Sequence, residues 1–98
     1  MKLVRKVQVK NRLGLHTRPA TTIVKLLQNC KSDVYFVHKK EKINAKSILS
    51  LLMLAARKNA RITIEIEGED ADLIMEKLVE AFDNHFGEGN AIRTGTLS

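Results

Sequence analysis

Apolar residues recur along this chain in two rhythms, one of period two and one near 3.6, and their order lays out seven elements. Leu3 to Val9 reads as a strand with Leu3, Val7 and Val9 on one face. Lys10 to Leu15 breaks that pattern, with loop chemistry at Asn11 and Gly14. A helix is predicted over Thr17 to Asn29, its buried stripe being Ala20, Ile23, Val24, Leu27 and Cys30, with Pro19 in the first turn where a missing N–H costs nothing. Ser32 to His38 predicts a second strand, with Val34 and Phe36 opposite Tyr35 and Val37. A polar turn leads to a short third strand, Lys42 to Asn44. Ser47 is placed to cap a helix that is apolar almost all round, from Ile48 to Ala56, with Arg57 and Lys58 at its C-terminal end and Asn59 suited to a left-handed cap. Arg61 to Glu67 is the clearest strand, because Ile62, Ile64 and Ile66 alternate with Thr63, Glu65 and Glu67. After Gly68 a last helix spans Asp70 to Phe86, with Ile74, Leu78, Ala81, Phe82 and Phe86 inward and Gly87 as its stop. The order is βαββαβα. One-sided strands with amphipathic helices predict an α+β domain in which one antiparallel sheet carries its helices on one face.

Composition narrows the setting. Ninety-eight residues suffice for one domain, 44% hydrophobic and 29% charged, as in soluble globular proteins. No apolar run reaches the roughly 20 residues a membrane span needs, so no membrane insertion is expected. The single cysteine, Cys30, cannot form an internal disulfide and reads as packing, and the start of the chain lacks the apolar core of a signal peptide. A cytoplasmic location is the expectation. Residues 1–87 are expected to form the domain, and 88–98 a polar, disordered tail. The net charge of +6 is unevenly spread: fifteen Lys/Arg against two Asp/Glu up to Arg61, then two against nine. A basic first part steers acidic proteins or phosphate-bearing ligands. Nucleic acid is not the expected partner, since aromatics are only 4% and no aromatic cluster or GxxG loop occurs.

Candidate chemistry concentrates in Leu13-Gly14-Leu15-His16-Thr17-Arg18-Pro19-Ala20. Here a loop becomes a helix, and a helix start offers unpaired N–H groups and a positive dipole end to anions. Neutral imidazole is a competent nucleophile, and Arg18 presents a planar fork of donors for phosphate oxygens. Ser47 combines a helix cap with a candidate phosphorylation site, where a phosphate would add roughly −2 charge. His38 and His85 lack metal-ligand spacing with His16 or Cys30, so neither a metal nor another cofactor is expected. No nucleotide-binding glycine loop and no nucleophile elbow is present.

The His16 stretch closely resembles the active-site signature of HPr, the histidine-containing phosphocarrier family of the phosphoenolpyruvate-dependent phosphotransferase system. Ala45-Lys46-Ser47 followed by Ile48-Leu49 resembles that family's regulatory-serine segment, and Glu67-Gly68-Glu69-Asp70-Ala71 its turn into the last helix. The likeness runs from about Met1 to Phe86. It implies an open-faced β-sandwich, a four-stranded antiparallel sheet under three helices. It implies a monomeric phosphoryl carrier rather than a free-standing enzyme, of the kind that serves sugar transport. His16 would accept the group at Nδ1 from phospho-enzyme I and pass it to an enzyme IIA, with Arg18 assisting the phosphate. Ser47 would be modified by an HPr kinase/phosphorylase, and Thr17, Ile48, Leu49 and Met53 would dock partners. Asn59 stands where the family often has Gly. The run Leu51 to Ala56 and the ending Phe86-Gly87-Glu88 resemble the nitrogen-related branch, in which regulation through Ser47 takes the place of sugar uptake.

Overall fold

The computed structural model describes residues 1–88. Its elements are β1 (Lys2–Gln8), α1 (Thr17–Leu27), β2 (Asp33–His38), β3 (Glu41–Asn44), α2 (Ile48–Leu54), β4 (Arg61–Glu67) and α3 (Ala71–Asp83), followed by a short turn, His85–Gly87. The four strands form one antiparallel sheet in the order β1-β4-β2-β3. β4 is central because its three isoleucines fit a surface covered on one side only. Ile62, Ile64 and Ile66 are fully buried, each worth about 2 kcal/mol of transfer free energy. They pair with Val7, Arg5 and Leu3 of β1. On the other side, Ile64 and Ile66 face Phe36 and Val34 of β2.

The helices complete the core with the stripes their spacing dictates. α1 contributes Ala20, Ile23 and Leu27, α2 contributes Leu51 and Leu54, and α3 contributes Ile74, Met75, Leu78 and Phe82. An aromatic stack runs from Phe36 to Phe82 at 5.7 Å between ring centres, then to Phe86 at 4.9 Å. Such tilted contacts suit the ring quadrupole.

Three helix ends depart from the sequence expectation: α1 stops at Leu27 rather than Asn29, and the ends of α2 and α3 are displaced as well. α2 stops at Leu54, and Ala55 itself takes the left-handed conformation with φ 55°. The cause is tertiary. The chain turns early so that buried Ala56 can accept a hydrogen bond from Leu15 N–H at 2.9 Å. Asn59 is left-handed as expected, with φ 73°, but in the following turn, where its N–H donates to Val9 C=O at 2.7 Å. Likewise α3 ends at Asp83 rather than Phe86. His85, Phe86 and Gly87 all have positive φ, a reversal that drops Phe86 onto Phe82. Glu88, read from sequence as the first residue of a tail, folds back onto the domain; residues 89–98 lie outside the described residues.

Candidate functional site

The loop of residues 10–16 is held from below by the segment after α2. Val9 N–H donates to Ala60 C=O at 2.9 Å, and Leu15 is bound to Ala56 as described. Gly14 lies so close to this segment that a Cβ on it would sit 2.2 Å from the Ala56 carbonyl oxygen. Its φ of +72° is also one that side chains avoid. Leu15 is buried and anchors the loop in the core, so the next residue, His16, is delivered to the rim.

His16 is the N-cap of α1, with extended backbone (φ −83°, ψ −167°). Its carbonyl accepts from Ala20 N–H at 3.0 Å, but its imidazole caps nothing. The first-turn N–H groups of Thr17 and Arg18 precede the start of the helical ladder, and Pro19 has none. The imidazole is about one-third exposed and the Arg18 side chain 72% exposed, so both are open to a large partner. Among the described residues, two open clefts border His16, one lined also by Arg12 and His85 and the other by Arg18 and Thr22.

The sequence reading missed the group that meets the imidazole. Glu88 places Oε2 3.0 Å and Oε1 3.2 Å from His16 Nε2, and its carboxylate is only 15% exposed. Arg18 Nη1 stands 3.9 Å from the same Oε2. Behind them, buried Asn11 donates its Nδ2 to Glu88 Oε1 at 2.5 Å and to His85 C=O at 2.8 Å. No local sequence signal marks this cluster, because Glu88 lies at the far end of the domain and reaches the site only through the left-handed turn.

Ser47 caps α2 as its position predicts: its hydroxyl accepts from Ser50 N–H at 3.2 Å, and it remains half-buried. Beside it Ile48, Leu49 and Met53 are 40%, 64% and 69% exposed. The structure adds two apolar residues to that exposed set, Leu52 on α2 and Leu13 in the His16 loop. Thr17 is exposed at the start of α1. Cys30 packs against the core with its thiol donating to Ser32 C=O. His38 Nδ1 lies 3.3 Å from the Arg61 carbonyl, and among the described residues no cluster of ligating side chains could hold a metal ion. Also among them, no helix is long and apolar enough to cross a membrane.

The fold and this site define a class, the small open-faced α+β sandwich with an accessible imidazole at its rim. A family model described as the PTS HPr component phosphorylation site matches residues 3–84. The phosphocarrier protein HPr of Chlamydia muridarum is 42% identical over 80 residues, covering 82% of this chain and 77% of that protein. Among solved structures, HPr-C-His from Thermoanaerobacter tengcongensis superposes with a TM-score of 0.83 at 28% identity, over 87% of this chain and 96% of the other. An HPr from Bacillus anthracis gives 0.79 at 32% identity, over 83% and 96%. The chain belongs to the HPr family of phosphocarrier proteins of the phosphotransferase system.

Proposed function

We propose that the chain carries its phosphoryl group on Nδ1 of His16, accepting it from phospho-enzyme I and passing it to an enzyme IIA. The observation that supports this reading is the Glu88 carboxylate 3.0 Å from Nε2, an acceptor that favours the ring proton on that nitrogen and a lone pair on Nδ1. The incoming phosphate would meet the start of α1 and the exposed guanidinium of Arg18, both complementary to an anion. These contacts are few and solvent-exposed. They stabilise the phosphorylated ring modestly, as a relay requires, and leave it open to a second protein. Ile48, Leu49 and Met53, with Thr17 at the rim, would form the surface on which both partners dock. An expected test is incubation of the chain with phosphoenolpyruvate and enzyme I. The wild type should gain acid-labile phosphate and His16→Ala none; equal labelling of the two refutes the assignment.

Ser47 would give that surface its control. Its hydroxyl stands beside Ile48 and Leu49, so phosphorylation there would place a dianion next to exposed apolar side chains. Ser47→Asp should slow uptake from enzyme I while leaving His16 intact. An unchanged rate removes Ser47 from the docking face. This reading also suits a chain whose output is regulation of nitrogen or carbon use rather than sugar uptake.

A further inference from the structure

A cleft at one end of the sheet has no part in the carrier reading. There the two-residue turn between β2 and β3, Lys39-Lys40, stands beside residues 55–60, which join α2 to β4. Together they border an open cleft of about 690 Å³, within the range of small-molecule sites. None of its lining residues lines the clefts beside His16. Its walls carry three exposed cations, Lys39, Arg57 and Lys58, against one carboxylate, Glu41. Among the described residues, none of these three cations pairs with a carboxylate. His38 fixes the turn beside β4, its Nδ1 donating to the Arg61 carbonyl at 3.3 Å. The backbone around the cleft is unusual. Lys39, Ala55 and Asn59 all line it with left-handed φ, 56°, 55° and 73°. Asparagine tolerates that region, whereas at Lys39 and Ala55 a glycine would be easier by about 1 kcal/mol. Ala55 is turned by the contact of Ala56 with Leu15, but Lys39 has no such cause. What lysine brings to that turn, and glycine does not, is a charge at the cleft. Between Ala55 and Asn59, the N–H groups of Arg57 and Lys58 donate to no acceptor among the described residues. Backbone of alternating hand with free N–H groups makes concavities that hold anions.

We infer that this cleft is an anion site separate from His16, one that binds a compact compound bearing two or more phosphate groups. Three unpaired cations from two different segments suit a ligand whose charge is spread over two phosphates better than a single one. Arg57 offers a planar fork to one phosphate, and the lysines act as point charges on the other. Among the described residues no Phe, Tyr or Trp lines the cleft, so nothing there stacks a nucleobase. The chemistry is that of diphosphate itself or of a sugar bisphosphate, not of a nucleotide. The inference goes beyond the carrier reading and does not depend on it. It touches the carrier site through one strand of backbone. Ala56, whose carbonyl holds Leu15, lies between Ala55 and Arg57, so a ligand bridging Lys39 and Arg57 would bear on the segment that supports the His16 loop.

The test uses the full chain at fixed ionic strength, with calorimetry for affinity and amide nitrogen-15 spectra for location. The probes are orthophosphate, pyrophosphate and a hexose bisphosphate. Pyrophosphate or the bisphosphate should bind at least about 10-fold more tightly than orthophosphate, and whichever is tighter tells inorganic from sugar-borne diphosphate. Amide shifts should centre on Lys39 and on residues 57–59. Arg57→Ala with Lys58→Ala should weaken the tighter ligand about 10- to 100-fold. Lys2→Ala with Lys31→Ala removes the same charge from the opposite end of the sheet, where Lys2 and Asp33 both face Glu67, and should change affinity less than about 2-fold. Lys39→Gly supplies a variant that does not threaten the fold. Glycine suits φ 56°, so Tm should hold or rise while the ligand weakens roughly 5-fold. Equal weakening by the two double variants overturns the site, as do shifts confined to Thr17 and Arg18 at the start of α1. Pyrophosphate and bisphosphate no tighter than orthophosphate overturn it too. Each of these failures leaves the carrier reading standing.

Discussion

Replacing Gly14 with alanine isolates the contact that holds the His16 loop in place. Two costs add. A side chain at φ +72° costs about 1 kcal/mol or slightly more relative to glycine. The new Cβ would also lie 2.2 Å from Ala56 O and 2.9 Å from Arg57 Cα, both backbone atoms that cannot swing aside like a flexible side chain. Relief requires the loop to lift. That breaks the 2.9 Å bond from Leu15 N–H to Ala56 C=O and leaves two buried groups unpaired, at roughly 2 kcal/mol. The total is about 3–4 kcal/mol, a large share of the 5–15 kcal/mol typical of a whole domain. For a chain of this size that lowers Tm by roughly 12–30 °C. Gly87→Ala is the matched control. Its φ is +83°, but among the described residues nothing lies within 4 Å of the added Cβ, so the conformational cost of about 1 kcal/mol is what applies. Urea unfolding of both variants, read by far-UV circular dichroism, measures the difference. Equal losses at the two positions, or a loss below about 1 kcal/mol at Gly14, would refute the reasoning from close approach.

Two further outcomes follow from contacts elsewhere in the domain and on its exposed helix face. The Asp70 carboxylate accepts from Lys31 N–H at 2.8 Å and from the Ser32 hydroxyl, and these bonds hold it below its ordinary value near 3.8. Its contribution is therefore full above that value and is lost as pH falls through the lower folded one. The Tm gap between wild type and Asp70→Asn should be steady from pH 8 to about 5 and close on acidification below about 4; a gap that persists into strong acid contradicts it. Leu49→Ser with Met53→Ser should change stability by less than about 0.5 kcal/mol per site, because both side chains are mostly exposed, yet should slow uptake from enzyme I. Unchanged kinetics would exclude these two from docking.

What the sequence disclosed depended on how locally each feature is caused. β4 was legible because Ile62, Ile64 and Ile66 alternate with polar residues in a strand covered on one face. The Ser47 cap was legible because capping is settled within three residues. The end of α2 was not, since Ala55 and Ala56 are good helix formers and leave the helix only to meet Leu15. The end of α3 misled for a related reason. Phe86 fits the buried stripe by spacing and is indeed buried, but it reaches the core through a left-handed turn rather than another turn of helix. At the site, His16 and Arg18 stand two residues apart and announce themselves. Asn11 and Glu88 lie at opposite ends of the domain, and only the packing of Phe86 brings them together.

The sheet order bears on how the protein matures. β1, the earliest strand of this domain, has no neighbour until β4 is made, for Gln8 pairs with Arg61 and Lys2 with Glu67. The His16 loop waits for Ala56 and Ala60, and the imidazole waits longer still, for Glu88. Long-range pairings of this kind form late in folding. A nascent or prematurely ended chain therefore exposes its histidine without the contacts that set it. The imidazole meets its carboxylate partner only once the chain has been made through Glu88, so the setting of the rim histidine depends on the far end of the domain.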